Sequence, residues 1–437
     1  MTDASFQIRA DWPKAPKKGV RDVAHLSILV GDNVLTKLAE VEAGTVRDYV
    51  RSSAVTLSLW LADNWWRLRW ESIHDNRRPS ADWRLRHELT SAPGGTIWPP
   101  IMIYGTGERV VIAPSFGMNI STGPIRFLDV STVTTVPGNA YEAGLDDFFG
   151  VVLQACVQAQ DAPALATVVS QLREERADSS LAAWRGLEAR LGYDPDDAPD
   201  GLIEGLSALE DRLGESAVEE AAVAAPGARA QEVLKDAVDA SEASGITADL
   251  GIADAVDKRL FERRASPWQW GEDASRAVRK LINAPHGAIL DNVLGEVLGT
   301  AWVELKSAAA TAQRLPYGAR LQKQGSTQKL APQTRAGIDR RFELARIVAD
   351  AIWPSNEVFG VISRAKTERQ KFQRAFAQSL LCPFSDLRQQ IDLAGPTEEQ
   401  IVNAAKNFRV RPAVVQTLLV NKGVLPRETL DERLEAA

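Results

Sequence analysis

An α+β protein is the fold class predicted by the sequence: a mixed α/β N-terminal domain, a helical middle, and a mostly helical C-terminal domain ending in a helix-turn-helix-like pair. Three observations carry this. Short β-type runs bounded by glycine and proline fall within about the first 140 residues. Helical apolar periods take over after Gly144. Charge is uneven: Tyr141 to Leu250 holds 23 Asp/Glu against 7 Lys/Arg, whereas Lys306 to Arg346 holds 9 Lys/Arg against 2 Asp/Glu. Such asymmetry predicts either two surfaces that meet each other or a basic face that meets an anion. The length of 437 residues suits two or three domains. The expected boundaries are a flexible arm over 1–20, a mixed domain over 21–143, an acidic helical domain over 144–230 and a last domain over 231–437.

In chain order, the arm carries Pro13, Pro16 and a lysine-rich segment with no apolar period. His25 to Val30 reads as a strand closed by Gly31-Asp32, and Val46 to Val50 as a second β-rich run. Leu57 to Trp70 follows, with Trp60, Leu61, Asn64, Trp65 and Leu68 at spacings of three and four. That spacing predicts one helix, with an apolar face wide enough to be buried. Arg67 and Arg69 on it raise base stacking as an alternative use of the tryptophans. Trp98 to Tyr104 and Arg109 to Ala113, split by Gly105-Thr-Gly107, read as a hairpin preceded by Pro99-Pro100. Ile125 to Val136 adds further strand-like sequence. Helices are expected over 145–160, 163–176 and 180–191, with Pro163 in the first turn of its own. The loop bearing Asp194, Asp196, Asp197 and Asp200 lacks EF-hand spacing and reads as an acidic turn capping the next helix.

Little catalytic chemistry is advertised. No run of about 18–20 apolar residues predicts a membrane helix, and the start lacks a signal-peptide core. Cys156 and Cys382 cannot build a disulfide framework. Cytoplasm is therefore the expected compartment. The four histidines, His25, His74, His87 and His286, show no metal-ligand spacing. His74-Asp75 and His87-Glu88 are the one candidate for acid–base chemistry in the N-terminal domain.

The C-terminal segment is more informative. A helix over Ala274 to Ile282, another over Leu290 to Leu298 and a strand over Thr300 to Leu305 are expected, then three helical stretches: Arg340 to Trp353, Arg369 to Leu381 and Glu399 to Leu419. Arg341-Phe342, Leu344-Ala345, Phe376-Ala377, Leu380-Leu381, Pro383 and Phe408-Arg-Val410 recur in an order and spacing that resemble the ImmA/IrrE family of zinc peptidases, over about residues 265–427. The resemblance implies a zincin-like domain. In that family a helix resembling R-F-T-L-A-H-E-L-G-H carries the metal and a later helix supplies another ligand. Here the aligned positions read Arg346, Ile347, Asp350 and Phe372. Arginine is a permanent cation and cannot ligate zinc, isoleucine cannot accept a proton, and one carboxylate cannot hold a catalytic metal alone. No cofactor and no zinc peptidase activity are expected. Arg346 and Asp350, four residues apart, would form a salt bridge in the old cleft, or Arg346 would stay free to bind an anion.

Thr397-Glu-Glu-Gln400 is a capping-box pattern opening the tail. Its basic residues Arg409, Arg411 and Lys422, with Arg320, Lys323, Lys329, Arg340 and Arg341 upstream, are the candidate nucleic-acid contacts. The expected function is non-enzymatic: a regulatory or recognition protein that uses a degenerate peptidase scaffold to bind a protein or DNA partner. The resemblance implies a bacterial stress-response, mobile-element or phage-defence setting. Two readings stay beside it: an enzyme with its site around His74 and His87, and a DNA-binding regulator using the basic C-terminal face.

Overall fold

A computed structural model describes residues 5–12, 22–73, 79–116, 123–263, 265–307, 315–334, 337–355, 357–426 and 429–430. Helix accounts for 51% and strand for 17%, the strands lying in several small antiparallel sheets, so the fold is α+β. The chain divides into two compact units at residues 198/199. The acidic stretch over 144–230 is therefore not a domain of its own.

In the first unit, β1 (Phe6–Asp11) pairs antiparallel with β2 (Val23–Val30), from Phe6 opposite Val30 to Asp11 opposite His25. This corrects the expected arm over 1–20: Phe6 and Ile8 alternate inward and anchor the strand. The rest of that arm, at 1–4 and 13–20, lies outside the described residues. β3 (Asn33–Val34) pairs with β2, and β4 (Leu38–Glu40) with β5 (Thr45–Arg47). β6 (Val50–Ser53) returns to β2 and leads into α1 (Ala54–Asp63), whose first turn is capped by Ser53 accepting from the Thr56 amide.

The tryptophan-rich segment is two helices, not one. Asn64 breaks the run by donating its side-chain amide to the Trp60 carbonyl (2.7 Å), and α2 (Trp65–Trp70) starts after it. α3 (Ala81–His87) follows, then the expected hairpin of β7 (Ile101–Gly105) and β8 (Arg109–Pro114). β9 (Ile125–Phe127) joins β4, and β10 (Thr134–Pro137) joins β8. α4 (Gly138–Ala155), α5 (Ala162–Ala177) and α6 (Ser179–Arg190) close the unit. Tyr141, Phe148, Leu165 and Leu172 share one core with Leu26, Trp60 and Trp65, which is why the first half of the acidic stretch belongs here. The acidic loop caps nothing: the next helix has Gly201 at its N-cap, while Asp194 pairs with Arg67 and Asp196 with Arg185.

The second unit opens with α7 (Leu202–Leu213), α8 (Glu215–Ala224) and α9 (Ala230–Ser244). Then come β11 (Ile246–Asp249), α10 (Gly251–Asp254), α11 (Pro267–Leu281), α12 (Asp291–Val297) and α13 (Trp302–Ser307). The last of these corrects the strand expected over Thr300 to Leu305. There Leu305 is buried while Val303 is 64% exposed, so one helical edge packs and no pleated face does. β12 (Gly318–Gln324) and β13 (Thr327–Ala331) form a hairpin, α14 (Ile338–Ile352) crosses it, and β14 (Phe359–Ile362) completes an antiparallel sheet of order β11-β13-β12-β14. α15 (Glu368–Leu381), the short α16 (Phe384–Leu387), α17 (Glu398–Phe408) and α18 (Pro412–Asn421) finish the unit. Leu344, Val348, Phe376, Leu380, Phe408 and Val415 share its core, so the tail is packed against the body.

Candidate functional site

α14 is buried on almost its whole circumference: Leu344, Ile347 and Val348 enter the core, while Arg346 and Asp350 project one turn apart. α15 lies against it and presents Arg369, Gln370 and Gln373, all buried. These side chains meet Arg320 of β12 and the β14 segment in one closed network.

Asp350 is its anionic centre. Its carboxylate accepts from Arg320 Nε (2.9 Å), Arg369 Nε (2.7 Å) and Gln373 Nε2 (2.8 Å). Burial pushes that carboxyl up, yet Arg369 and Arg320 outweigh burial and hold it below the usual carboxylate range. Arg369 also pairs with Glu357 (2.6 Å). Gly360 of β14 is required here, because a Cβ at that position would overlap the Asp350 carboxylate. Arg346 does not bridge to Asp350. Its Nη2 donates to the Ser363 carbonyl (2.6 Å), Gln370 Oε1 (2.7 Å) and Gln373 Oε1 (3.1 Å), all neutral acceptors. Burial, with Arg374 nearby, brings its guanidinium down to about 9, so it remains a cation at neutral pH. The expected Arg346–Asp350 salt bridge is thus replaced by Arg320 and Arg369, which pair with Asp350 at 2.9 and 2.7 Å. A freely exposed Arg346 is likewise ruled out by its burial.

The outer edge of β14 is occupied by the same side chains. Val361 O accepts from Gln370 Nε2 (2.8 Å) and Gln373 Nε2 (3.0 Å), and the Ser363 amide donates to Gln370 Oε1 (3.0 Å). Of the four aligned positions, Arg346 and Asp350 come together. Ile347 is a core residue, and Phe372 turns away into an aromatic cluster with Phe261 (5.4 Å) and Trp353 (5.2 Å). Gln373, one position on, takes the place expected of Phe372. One helical step is about 100°, enough to swing a side chain from core to centre. The residues present do not fit zinc: two arginines and one glutamine surround one carboxylate that is already ion-paired. Among the described residues no group of three or more His, Cys, Asp or Glu could hold a metal ion.

The candidate nucleic-acid residues are engaged within the unit. Arg320, Arg340 and Arg341 are buried and cannot reach a phosphate. Arg340 donates to the Thr334 carbonyl (2.8 Å) and the Leu305 carbonyl (3.1 Å), and Arg341 pairs with Asp291. Lys323 pairs with Glu242 of α9 (2.9 Å), and Lys329 donates to Thr247 Oγ1 (3.0 Å). Here the acidic and basic stretches do meet each other. In the tail, Arg409 pairs with Asp291 (3.2 Å), Arg411 with Asp339 and Lys422 with Glu272 (2.6 Å). The capping box at Thr397 and Gln400 forms as expected. α18 itself carries no basic residue.

In the first unit, His87 is fully buried and does not act with Glu88, which pairs with Arg84. Its Nδ1 lies 2.6 Å from the Ile103 carbonyl and its Nε2 2.9 Å from Glu71 Oε2, and its ring stacks on Trp83 at 4.1 Å. Glu71 also accepts twice from Arg67 (2.6 and 3.2 Å). Burial pushes the Glu71 carboxyl up, but His87 and Arg67 outweigh it and hold it below its ordinary value. With both ring nitrogens facing oxygen acceptors, the imidazole clamps β7 to the end of α2. His74 and Asp75 lie outside the described residues. The tryptophans do not offer free stacking faces: Arg69 (3.8 Å) and Arg190 (4.3 Å) lie over Trp70, and Arg176 (4.6 Å) over Trp65. No described helix is long and apolar enough to cross a membrane. Comparison of the chain with protein-family models, curated proteins and solved structures finds no match.

Proposed function

We propose that this chain is a non-catalytic regulatory or recognition protein, and that its second unit is a degenerate ImmA/IrrE-like peptidase scaffold put to use in binding. One observation carries the reading. The two helices aligned with the family's metal-bearing helices face each other across Arg346, Asp350, Arg369 and Gln373, and these side chains hydrogen-bond one another and the β14 edge. Neither a nucleophile nor an open metal position is left at that centre. An exposed strand edge is a template for a peptide, and here Val361 O and the Ser363 amide and carbonyl are already bonded to side chains.

A protein partner is favoured over DNA, because α18 has no basic side chain and Arg411 and Lys422 are ion-paired. A cytoplasmic location and a bacterial stress-response, mobile-element or phage-defence setting belong to the same proposal through the family resemblance. The test is metal analysis of purified protein with a peptidase assay in added zinc. The expected result is substoichiometric zinc and no cleavage. One zinc per chain, or zinc-dependent cleavage, overturns the reading.

A further inference from the structure

The network in the second unit has more cations than its own strands and helices neutralise. Arg320, Arg346, Arg369 and Arg374 gather beside three acids, Asp350, Glu357 and Glu343. Arg346 and Arg374 repel each other, and Arg374 donates to the Ala365 carbonyl (3.0 Å). Two buried donors, Arg346 Nε and Arg369 Nη2, have no hydrogen-bond partner among the described residues.

The missing negative charge comes from another layer. Glu220 of α8 is buried, and its Oε2 accepts from Gln370 Nε2 (2.9 Å). Its carboxylate also hydrogen-bonds Thr367, the N-cap of α15, and lies in the fields of Arg346, Arg369 and Arg374. Ser216, one turn earlier on α8, accepts from Arg369 Nη1 (3.0 Å). A hydroxyl and an amide bonded to one carboxylate at the start of a helix, in the field of nearby guanidinium groups, are the parts of an oxyanion site. Burial raises the carboxyl of Glu220 despite Arg369, so its anionic form is imperfectly compensated there.

We propose that α8 is an internal latch: Glu220 fills an oxyanion site at the N-terminus of α15, and an external carboxylate or phosphate group takes that site when α8 releases. The partner recognised by the second unit would then present such a group, and its binding would be coupled to exposure of the buried face of α8, which includes Ala217, Val218 and Ala221. This rests on the reading of the centre as non-catalytic, but it fails separately, because metal content tests that reading and oxyanion binding tests this one.

The experiment uses the full chain, as wild type, Glu220→Gln and Glu220→Gln with Arg374→Gln. Hydrogen exchange over residues 215–224 is followed together with calorimetric titration of inorganic phosphate and, in a separate arm, acetate. Glu220→Gln keeps shape and removes charge. The expected result is at least tenfold faster exchange across α8 in Glu220→Gln and at least tenfold tighter binding of one of the two oxyanions than in wild type, lost again in the double variant. Which anion binds distinguishes a phosphate from a carboxylate source. Unchanged exchange in Glu220→Gln, no gain in binding of either anion, or gained binding that survives Arg374→Gln overturns the proposal. If Glu220→Gln does not fold, wild-type exchange over 215–224 in high phosphate decides: acceleration confined to α8 supports the latch, and none overturns it.

Discussion

The two units bury charge in different ways. In the first, Arg67 has Glu71 at 2.6 Å, Asp82 at 2.9 Å and Asp194 at 3.5 Å, so one cation shares three carboxylates. In the second, Asp350 is one carboxylate shared by Arg320 and Arg369, with Arg346 left to neutral oxygens. An anion-rich cluster tolerates loss of one acid because its cation keeps others. A cation-rich centre does not: without Asp350, Arg320 keeps no carboxylate partner among the described residues and Arg369 keeps Glu357.

The largest expected effect follows from that asymmetry. Asp350→Ala leaves the buried Arg320 guanidinium without its carboxylate and Arg369 with Glu357 alone, and the second unit should lose about 3–5 kcal/mol. Residue-resolved hydrogen exchange under denaturant would read it; equal loosening of both units would break the comparison. Glu71→Gln should cost less, about 1–3 kcal/mol in the first unit, because Arg67 retains Asp82 and Asp194. A cost equal to that of Asp350→Ala would show that the extra carboxylates contribute nothing.

The smallest effect is with pH. Glu71 and Asp350 both lie below their ordinary values when folded. The stability they contribute is complete above the unfolded carboxylate range, roughly pH 4–5, and is lost as pH falls through their folded values. Glu220, raised by burial, works in the opposite sense and is relieved of an unfavourable charge as it protonates. Thermal melts from pH 7 to 3 should therefore show the first unit weakening before the second. Melting that is unchanged down to pH 3, or the reverse order, would refute this.

The legible parts of the chain were those whose packing is apolar and periodic. α14, α15, the capping box of α17 and the β7–β8 hairpin follow directly from such patterns. The strands β12 and β13 were hidden because their inward positions include Arg320 and Gln328, which hydrogen-bond each other in the charged centre. Polar residues that point inward erase the alternation on which strand recognition depends. β1 was hidden by its brevity and by the prolines that follow it. At the site, the absence of zinc-ligating side chains at Arg346, Ile347 and Phe372 follows from residue chemistry alone. The replacement was not legible, because Asp350 found its partners 30 residues upstream and 19 downstream, distances over which sequence carries no pairing signal. Phe372 packs among aromatic rings while its neighbour Gln373 reaches Asp350, and Glu220 could not be foreseen because its partner Gln370 lies 150 residues away.

Gly360 has an evolutionary consequence. Its bare Cα leaves the space that the Asp350 carboxylate fills, so the two positions are constrained as a pair. Relatives that keep an acid at position 350 should keep glycine at 360, and lineages that change one should change both. The centre would then be visible as coupled variation between a helix and a strand.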